Sequence, residues 1–150
     1  MAREAPINPA DLFDMEKANI RIVHDFISSW IDPFNWNYSL LAEDGEFRSH
    51  DTVKKRMNKA ELKEYVEGGT LGDNDWVEII FHETFAKGTM VASSRTDIVH
   101  SPGKNDRIFE IVSDLTVKKG KIVEWTDHVY AWSEGPMHQG GKSARMAQGK

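Results

Sequence analysis

Three charged residues on two predicted strands have the types and spacing needed for acid–base chemistry. Alternation along residues 88–101 puts Arg95 and Asp97 on one face of a strand. Alternation along residues 121–132 puts Asp127 in an otherwise apolar row. An isolated buried carboxylate is costly, and the planar fork of an arginine is a suitable partner for it. We therefore predict a buried group of two aspartates and one arginine.

Such a group can act as a catalytic device. When one arginine bridges two carboxylates, one of them can stay ionised as a base while the other is held protonated as an acid. Alternation alone leaves a second interpretation open. Arg95 and Asp97 could form a surface ion pair, or Asp127 could cap a turn.

Length and composition narrow the class of protein. The chain has 150 residues, which suits one domain, and a formal net charge of -5 with both signs interspersed, so we expect no nucleic-acid partner. No apolar run reaches the roughly 18 to 20 residues that a membrane span needs, so we expect a soluble, cytoplasmic protein. The absence of cysteine excludes disulfides, thiolate catalysis and sulfur-bound zinc.

Cap signals predict two helices near the start of the chain. Asn8-Pro9 fits a helix start, and the helix should run to about Ile31. Asp32-Pro33 repeats the signal, which predicts a short second helix through Trp36 and Leu40 and thus a helical hairpin. The first helix carries one apolar stripe, made of Val23, Phe26, Ile27 and Trp30.

A third helix and a separate strand follow. Asn58 and Glu61 have the spacing of a capping box, and Gly68-Gly69 should end the helix that they begin. We predict a strand near residues 45–51, between the helices.

The second half of the chain alternates as strands do. The connections between the strands are short and turn-forming, so these strands should pair in sequence as an antiparallel meander. The chain from Ser133 lacks periodicity, so we predict one domain over residues 1–132 and a flexible tail over 133–150. The predicted strands are 75–86, 88–101, 106–118 and 121–132.

This order of elements indicates an α+β fold. A curved, cone-shaped sheet should wrap around the long first helix and leave one open mouth. A concave apolar cavity with a few inward polar groups is where small molecules bind in such folds.

Two segments resemble those of a known family. The segments are Ser94 to Val99, with its Arg-x-Asp, and Gly120 to Asp127, with its Trp-x-Asp. They resemble the corresponding strands of limonene-1,2-epoxide hydrolase-like proteins, which, with SnoaL-like proteins, belong to the nuclear transport factor 2-like superfamily. The likeness extends over about residues 18–132.

The resemblance implies roles for the three charged residues. Asp127 would be the general base that takes a proton from water, Asp97 the general acid that protonates the epoxide oxygen, and Arg95 the bridge between them. It also implies a homodimer and no metal or cofactor. The family holds its water with a Tyr-x-Asn pair, but this sequence has Phe47 and Ser49 at those places.

Three functions remain open. The first is epoxide hydrolysis, or a related epoxide-opening cyclisation, on a small hydrophobic molecule. The second is a lyase, dehydratase or isomerase that acts on an aromatic alcohol, for example a lignin-derived diaryl compound, and the loss of the water-holding pair favours it. The third is a non-catalytic small-molecule-binding or dimerisation module, against which the inward-facing acids argue.

Several further residues are candidates for substrate binding. Aromatic side chains could line a pocket for an apolar substrate, and histidines could move protons. We expect His128 to face away from Asp127, His100 to border a turn, and Trp36 to belong to the core or an interface. No His-x-x-x-His pair of metal-ligand type is present, so we expect no metal site. The candidates are Trp30, Trp125, Phe47, Ser49, His24 and His50.

Overall fold

Two helices and five strands make up the described part of the chain. The computed structural model describes residues 9–31, 35–48, 56–68, 71–72 and 74–137. Short 3-10 turns at Ser29–Ile31 and Tyr38–Leu40 accompany the longer elements. The longer elements are α1 (Pro9–Ser28), β1 (Leu41–Arg48), α2 (Lys59–Glu67), β2 (Trp76–Lys87), β3 (Met90–His100), β4 (Asn105–Lys118) and β5 (Lys121–Met137).

The first helix begins at Pro9 as predicted, whereas its cap Asn8 and the Asp32-Pro33 pair lie outside the described residues. The predicted second helix is wrong, because residues 35–37 are not helical and only a 3-10 turn follows them. The Ser29 hydroxyl accepts the backbone N–H of Asn37 at 2.9 Å, and the Trp36 ring stacks on another ring, that of Trp30, at 4.7 Å. These contacts hold the segment in an irregular conformation.

Helix α2 has the predicted capping box. The Asn58 side chain accepts the backbone N–H of Glu61 at 2.9 Å, and the Glu61 carboxylate accepts the backbone N–H of Asn58 at 3.1 Å. The helix ends at Gly68. Its buried residues, Leu62 and Val66, face the core, and α2 packs against β1.

The five strands form one mixed sheet in the order β1-β5-β4-β3-β2. Strands β2 to β5 pair as the predicted antiparallel meander, and β1 pairs with β5 in parallel. Strand β1 begins earlier than predicted, at Leu41, and residues 49–51 of that prediction lie outside the described residues. Strand β5 continues to Met137, into the segment predicted as a tail.

Helix α1 and the curved, unclosed sheet enclose the core, which confirms the predicted α+β cone. All four residues of the predicted apolar stripe are buried, although α1 ends at Ser28, earlier than predicted, and Trp30 lies in the 3-10 turn that follows it. The stripe packs against inward residues of the sheet, including Val91, Leu115 and Trp125. None of the helices in the described ranges combines the length and apolar character needed to cross a membrane.

Candidate active site

The three charged residues lie inside the cone. The exposed fraction of the residue is 0% for Arg95, 8% for Asp97 and 2% for Asp127. Arg95 and Asp97 are therefore not a surface ion pair, and Asp127 lies within strand β5 and does not cap a turn.

One guanidinium binds both carboxyl groups. Arg95 Nε donates to Asp97 Oδ1 at 2.8 Å, and Nη2 donates to Asp97 Oδ2 at 3.2 Å. The same Nη2 lies 2.6 Å from Asp127 Oδ2, and Nη1 lies 3.3 Å from Asp127 Oδ1. Each acid therefore receives two N–H groups in the fork geometry that makes arginine–carboxylate pairs strong.

Ser113 lets the arginine reach its second partner. Arg95 is on β3 and Asp127 on β5, so the side chain must cross β4, where Ser113 pairs with Asp127. The Ser113 hydroxyl accepts from Arg95 Nη1 and donates to Asp127 Oδ1, the latter at 2.5 Å. A small side chain at this position leaves room for the guanidinium and completes its hydrogen bonds.

Sequence reasoning missed Ser113, although a signal was present. Ile111, Leu115 and Val117 belong to one buried row of β4, and Ser113 interrupts it as a fully buried polar residue. A polar residue in such a row needs a hydrogen-bond partner, and the buried charges are the natural candidates.

Two tryptophans complete the surroundings of the charged group. Trp125 Nε1 donates to Asp127 Oδ1 at 2.6 Å. The guanidinium carbon of Arg95 lies 4.7 Å from the centre of the Trp30 ring. Asp127 thus accepts hydrogen bonds from an arginine, a serine and a tryptophan, an arrangement that suits an ionised carboxylate, which can only accept.

Asp97 has a different electrostatic environment. Burial raises its pKa above the usual value, and the negative charges of Asp127 and Glu110 add to the effect, whereas Arg95 opposes it. Burial lowers the pKa of Arg95, but the two neighbouring carboxylates outweigh it and raise that pKa above its usual value. The raised pKa of Asp97 reduces the excess of negative charge that two ionised carboxylates would place around one arginine.

A cavity of about 240 Å³ opens beside the two acids. Its walls are mainly aromatic and aliphatic, and the half-exposed Tyr65 and Arg107 lie among its lining residues. The cavity can therefore present an apolar molecule to both carboxyl groups. The described residues that line it are Trp30, Trp36, Tyr65, Val66, Leu71, Val77, Asp97, Val99, Arg107, Phe109, Ile111, Trp125, Asp127 and Val129.

Solved structures share this arrangement of helices and sheet. An LEH-like epoxide hydrolase from M. tuberculosis matches with a TM-score of 0.64 and 20% identity, over 77% of this chain and 84% of that chain. An NTF-2-like protein of unknown function from Burkholderia xenovorans matches with a TM-score of 0.57 and 14% identity, over 90% of this chain and 95% of that chain. The chain has the nuclear transport factor 2-like fold.

A third structure with this fold agrees. A protein with a ketosteroid isomerase-like fold from Catenulispora acidiphila, in complex with trimethylamine, has a TM-score of 0.58 and 15% identity, over 71% of this chain and 82% of that chain. No protein-family model and no curated protein matches the sequence. At these identities the comparisons establish the nuclear transport factor 2-like fold and not the chemistry of the site.

The nuclear transport factor 2-like fold brings only some of the predicted binding residues to the cavity. Trp30 and Trp125 line it, and so does Trp36, which also packs against the core as the sequence predicted. Phe47 is fully buried in the core, where its ring packs over the backbone of Gly45, and it is not among the lining residues. Ser49 and His50 lie outside the described residues.

His24 lies against β2 and is not among the residues that line the cavity. Its Nε2 is 2.8 Å from the Thr84 hydroxyl, and its ring centre is 4.3 Å from that of Phe81. Burial lowers the pKa of His24, with Asp25 opposing. The face of α1 that carries His24 therefore points to β2 and not to Asp97 and Asp127.

Two other histidines of this nuclear transport factor 2-like domain have acidic partners other than Asp97 and Asp127. His128 bonds to Asp114 at 2.6 Å on the exposed face of the sheet. His100 lies between Asp106, at 2.7 Å, and Glu78, at 3.0 Å. Within the described ranges, no three His, Asp or Glu side chains converge as a set of metal ligands.

Proposed function

We propose that the protein is an acid–base enzyme that opens the epoxide ring of a small hydrophobic molecule without a cofactor. One observation supports this most directly: Arg95 holds two carboxyl groups at the edge of an apolar cavity, and the two have different surroundings. A base and an acid on one rigid support are what the addition of water to an epoxide requires.

The surroundings of each acid suggest its role. Asp127, held by three neighbouring donor residues, acts as the base. Its Oδ2 accepts one of these hydrogen bonds, from Arg95, and retains acceptor capacity for a water proton. As that proton moves to Asp127, the water oxygen bonds to an epoxide carbon and the carbon–oxygen bond of the ring breaks.

Asp97 acts as the acid. Its raised pKa favours the protonated form, and its side chain is the more exposed of the two, at 12% against 3% for Asp127. Its proton goes to the epoxide oxygen as the ring opens, so that a diol forms. Proton transfer from Asp127 to Asp97, directly or through water, then restores both acids for the next cycle.

The comparisons support the proposal at the level of fold. The M. tuberculosis structure is named as an epoxide hydrolase, and this chain has the same fold with 20% identity. Two carboxyl groups in one apolar cavity agree with that activity.

The proposal is tested with a panel of epoxides and two conservative variants. Asp127→Asn and Asp97→Asn keep the shape of each side chain but remove the base or the acid. We expect diol formation by the unaltered protein, with oxygen-18 from labelled water in the product, and a loss of at least about 100-fold in each variant. Asp114→Asn changes an exposed carboxylate of β4 and serves as the matched control. Full activity in both site variants would overturn the assignment.

The position of Phe47 favours a second candidate. This residue occupies the place where the resemblance implies a water-holding tyrosine, yet phenylalanine has no hydroxyl and is buried in the core. The same acids could instead abstract a proton from carbon and protonate a leaving oxygen, as in a lyase, dehydratase or isomerase that acts on an aromatic alcohol. A product without solvent oxygen-18, lost in both Asp→Asn variants, would select this function over hydrolysis.

A further inference from the structure

Arg107 is a charged residue of the cavity that the proposed acid–base chemistry does not use. Among the described residues that line the cavity, three are charged: Asp97, Asp127 and Arg107. Arg95 is fully buried, and the carboxyl groups of Asp97 and Asp127 already match its positive charge. Arg107 therefore supplies the positive charge among these lining residues.

The contacts that Arg107 makes with the described residues leave some of its N–H groups available. Its Nη2 lies 3.4 Å from the Ser101 hydroxyl and 3.8 Å from Asp75 Oδ2. The second distance is too long for a hydrogen bond, and a guanidinium has five N–H donors. The side chain is 43% exposed, so it can reach a ligand without breaking a buried contact.

Sheet register fixes where this charge lies relative to the acids. Asp97 pairs with Phe109, and the next residue on that face of β4, Arg107, pairs with Val99. One two-residue repeat of a strand is about 7 Å. Phe109 and Val99 also line the cavity, so an apolar surface connects the acids to Arg107.

We propose that the substrate of this cavity carries a carboxylate or similar anionic group, and that Arg107 binds it. The inference rests on the proposed function in taking the cavity as the substrate site. The anionic group would lie about one strand repeat from the reacting carbon, a separation that one aromatic ring bridges. Arg95 shows that one guanidinium in this fold can serve two carboxyl groups, as Arg107 would with Asp75 and the ligand.

The experiment measures binding first, without any reaction. Isothermal titration calorimetry compares 4-ethylbenzoate with 4-ethylbenzamide, which differ mainly in charge. We expect the anion to bind about tenfold more tightly, with a smaller ratio at high salt. Arg107→Gln should reduce the ratio to about one, and Arg107→Lys should keep part of it. Arg56→Gln, which removes an exposed arginine that pairs with Glu46, should leave the ratio unchanged.

The outcomes separate this inference from the proposed function. Equal affinity for the two ligands, or an unchanged ratio in Arg107→Gln, would overturn the proposed role of Arg107. Turnover is then measured with 4-(oxiran-2-yl)benzoate and the corresponding benzamide. If the binding ratio is intact but neither epoxide is turned over, only the proposed epoxide opening is contradicted. If both epoxides are turned over but the binding ratio is one, only the role of Arg107 is contradicted. Because Arg107→Lys keeps the charge, it gives a reading even if the glutamine variant fails to fold.

Discussion

Arg95 on β3 binds Asp127 on β5 across the whole width of β4, with 2.6 Å between Nη2 and Oδ2. The same side chain binds Asp97, two residues further along its own strand. The buried guanidinium therefore binds both acids and connects side chains of three neighbouring strands, β3, β4 and β5. Its removal leaves two carboxyl groups without the positive charge that stabilises them.

Arg95→Met should be strongly destabilising. Methionine fills part of the volume but cannot donate a hydrogen bond, and removing one partner from a buried ion pair typically costs about 3 to 5 kcal/mol. Urea denaturation at neutral pH measures the change in the free energy of unfolding. Arg21→Met on the exposed face of α1 is the control and should stay within about 0.5 kcal/mol. A loss of less than about 1 kcal/mol in Arg95→Met would contradict this account.

The raised pKa of Asp97 should make stability depend on pH. Below about pH 4 the carboxyl is protonated in both folded and unfolded chains, so its contribution to stability is fully present. Above that pH the unfolded chain releases the proton while the folded chain retains it, so the free energy of unfolding falls until the folded pKa is passed. In Asp97→Asn this decrease should be absent.

Urea denaturation of the unaltered protein and of Asp97→Asn between about pH 4 and pH 7 measures the effect. As the pH rises, the free energy of unfolding of Asp97→Asn should increase relative to that of the unaltered protein. Glu124→Gln, at an exposed carboxylate of β5, should run parallel to the unaltered protein. Parallel curves for Asp97→Asn as well would show that Asp97 titrates normally in the folded state.

Local signals in the sequence were sufficient for much of the fold. The Asn58 capping box and the short turns of the meander depend on neighbouring residues, and the structure contains them. The segment around Trp36 did not follow its local signal, because tertiary stacking on Trp30 and a hydrogen bond from the Asn37 backbone N–H to Ser29 override it.

The acids of the site could be predicted, but the residues that hold them could not. Two-residue alternation depends on one strand alone, so it was sufficient to predict that Arg95 and Asp97 share a face. Ser113 and Arg107 become relevant only through pairing with other strands, and register depends on the whole sheet. His24 faces β2 because of how the helix packs on the sheet, which its helical periodicity does not specify.

Ser113→Ala should lower activity while the cavity stays intact. The variant loses the hydroxyl that donates to Asp127 and accepts from Arg95, so Asp127 is held less firmly. We expect kcat to fall about tenfold or more with little change in KM, because both bonds involve charged groups and such bonds contribute about 1.5 to 3 kcal/mol. Ser133→Ala, on an exposed part of β5, is the control. A change confined to KM would indicate a role in binding instead of positioning.

A pair of tryptophan variants tests how Asp127 is held as a base. Trp125→Phe keeps an aromatic ring in the cavity but removes the 2.6 Å hydrogen bond from Nε1 to Asp127 Oδ1. Trp30→Phe makes the same change at a lining residue whose Nε1 has no hydrogen-bond partner among the described residues. Hydrogen bonds to charged groups contribute about 1.5 to 3 kcal/mol, so kcat should fall about tenfold or more in Trp125→Phe and much less in Trp30→Phe. Equal losses would mean that the rings act only through packing, and that Asp127 does not depend on the indole for its position.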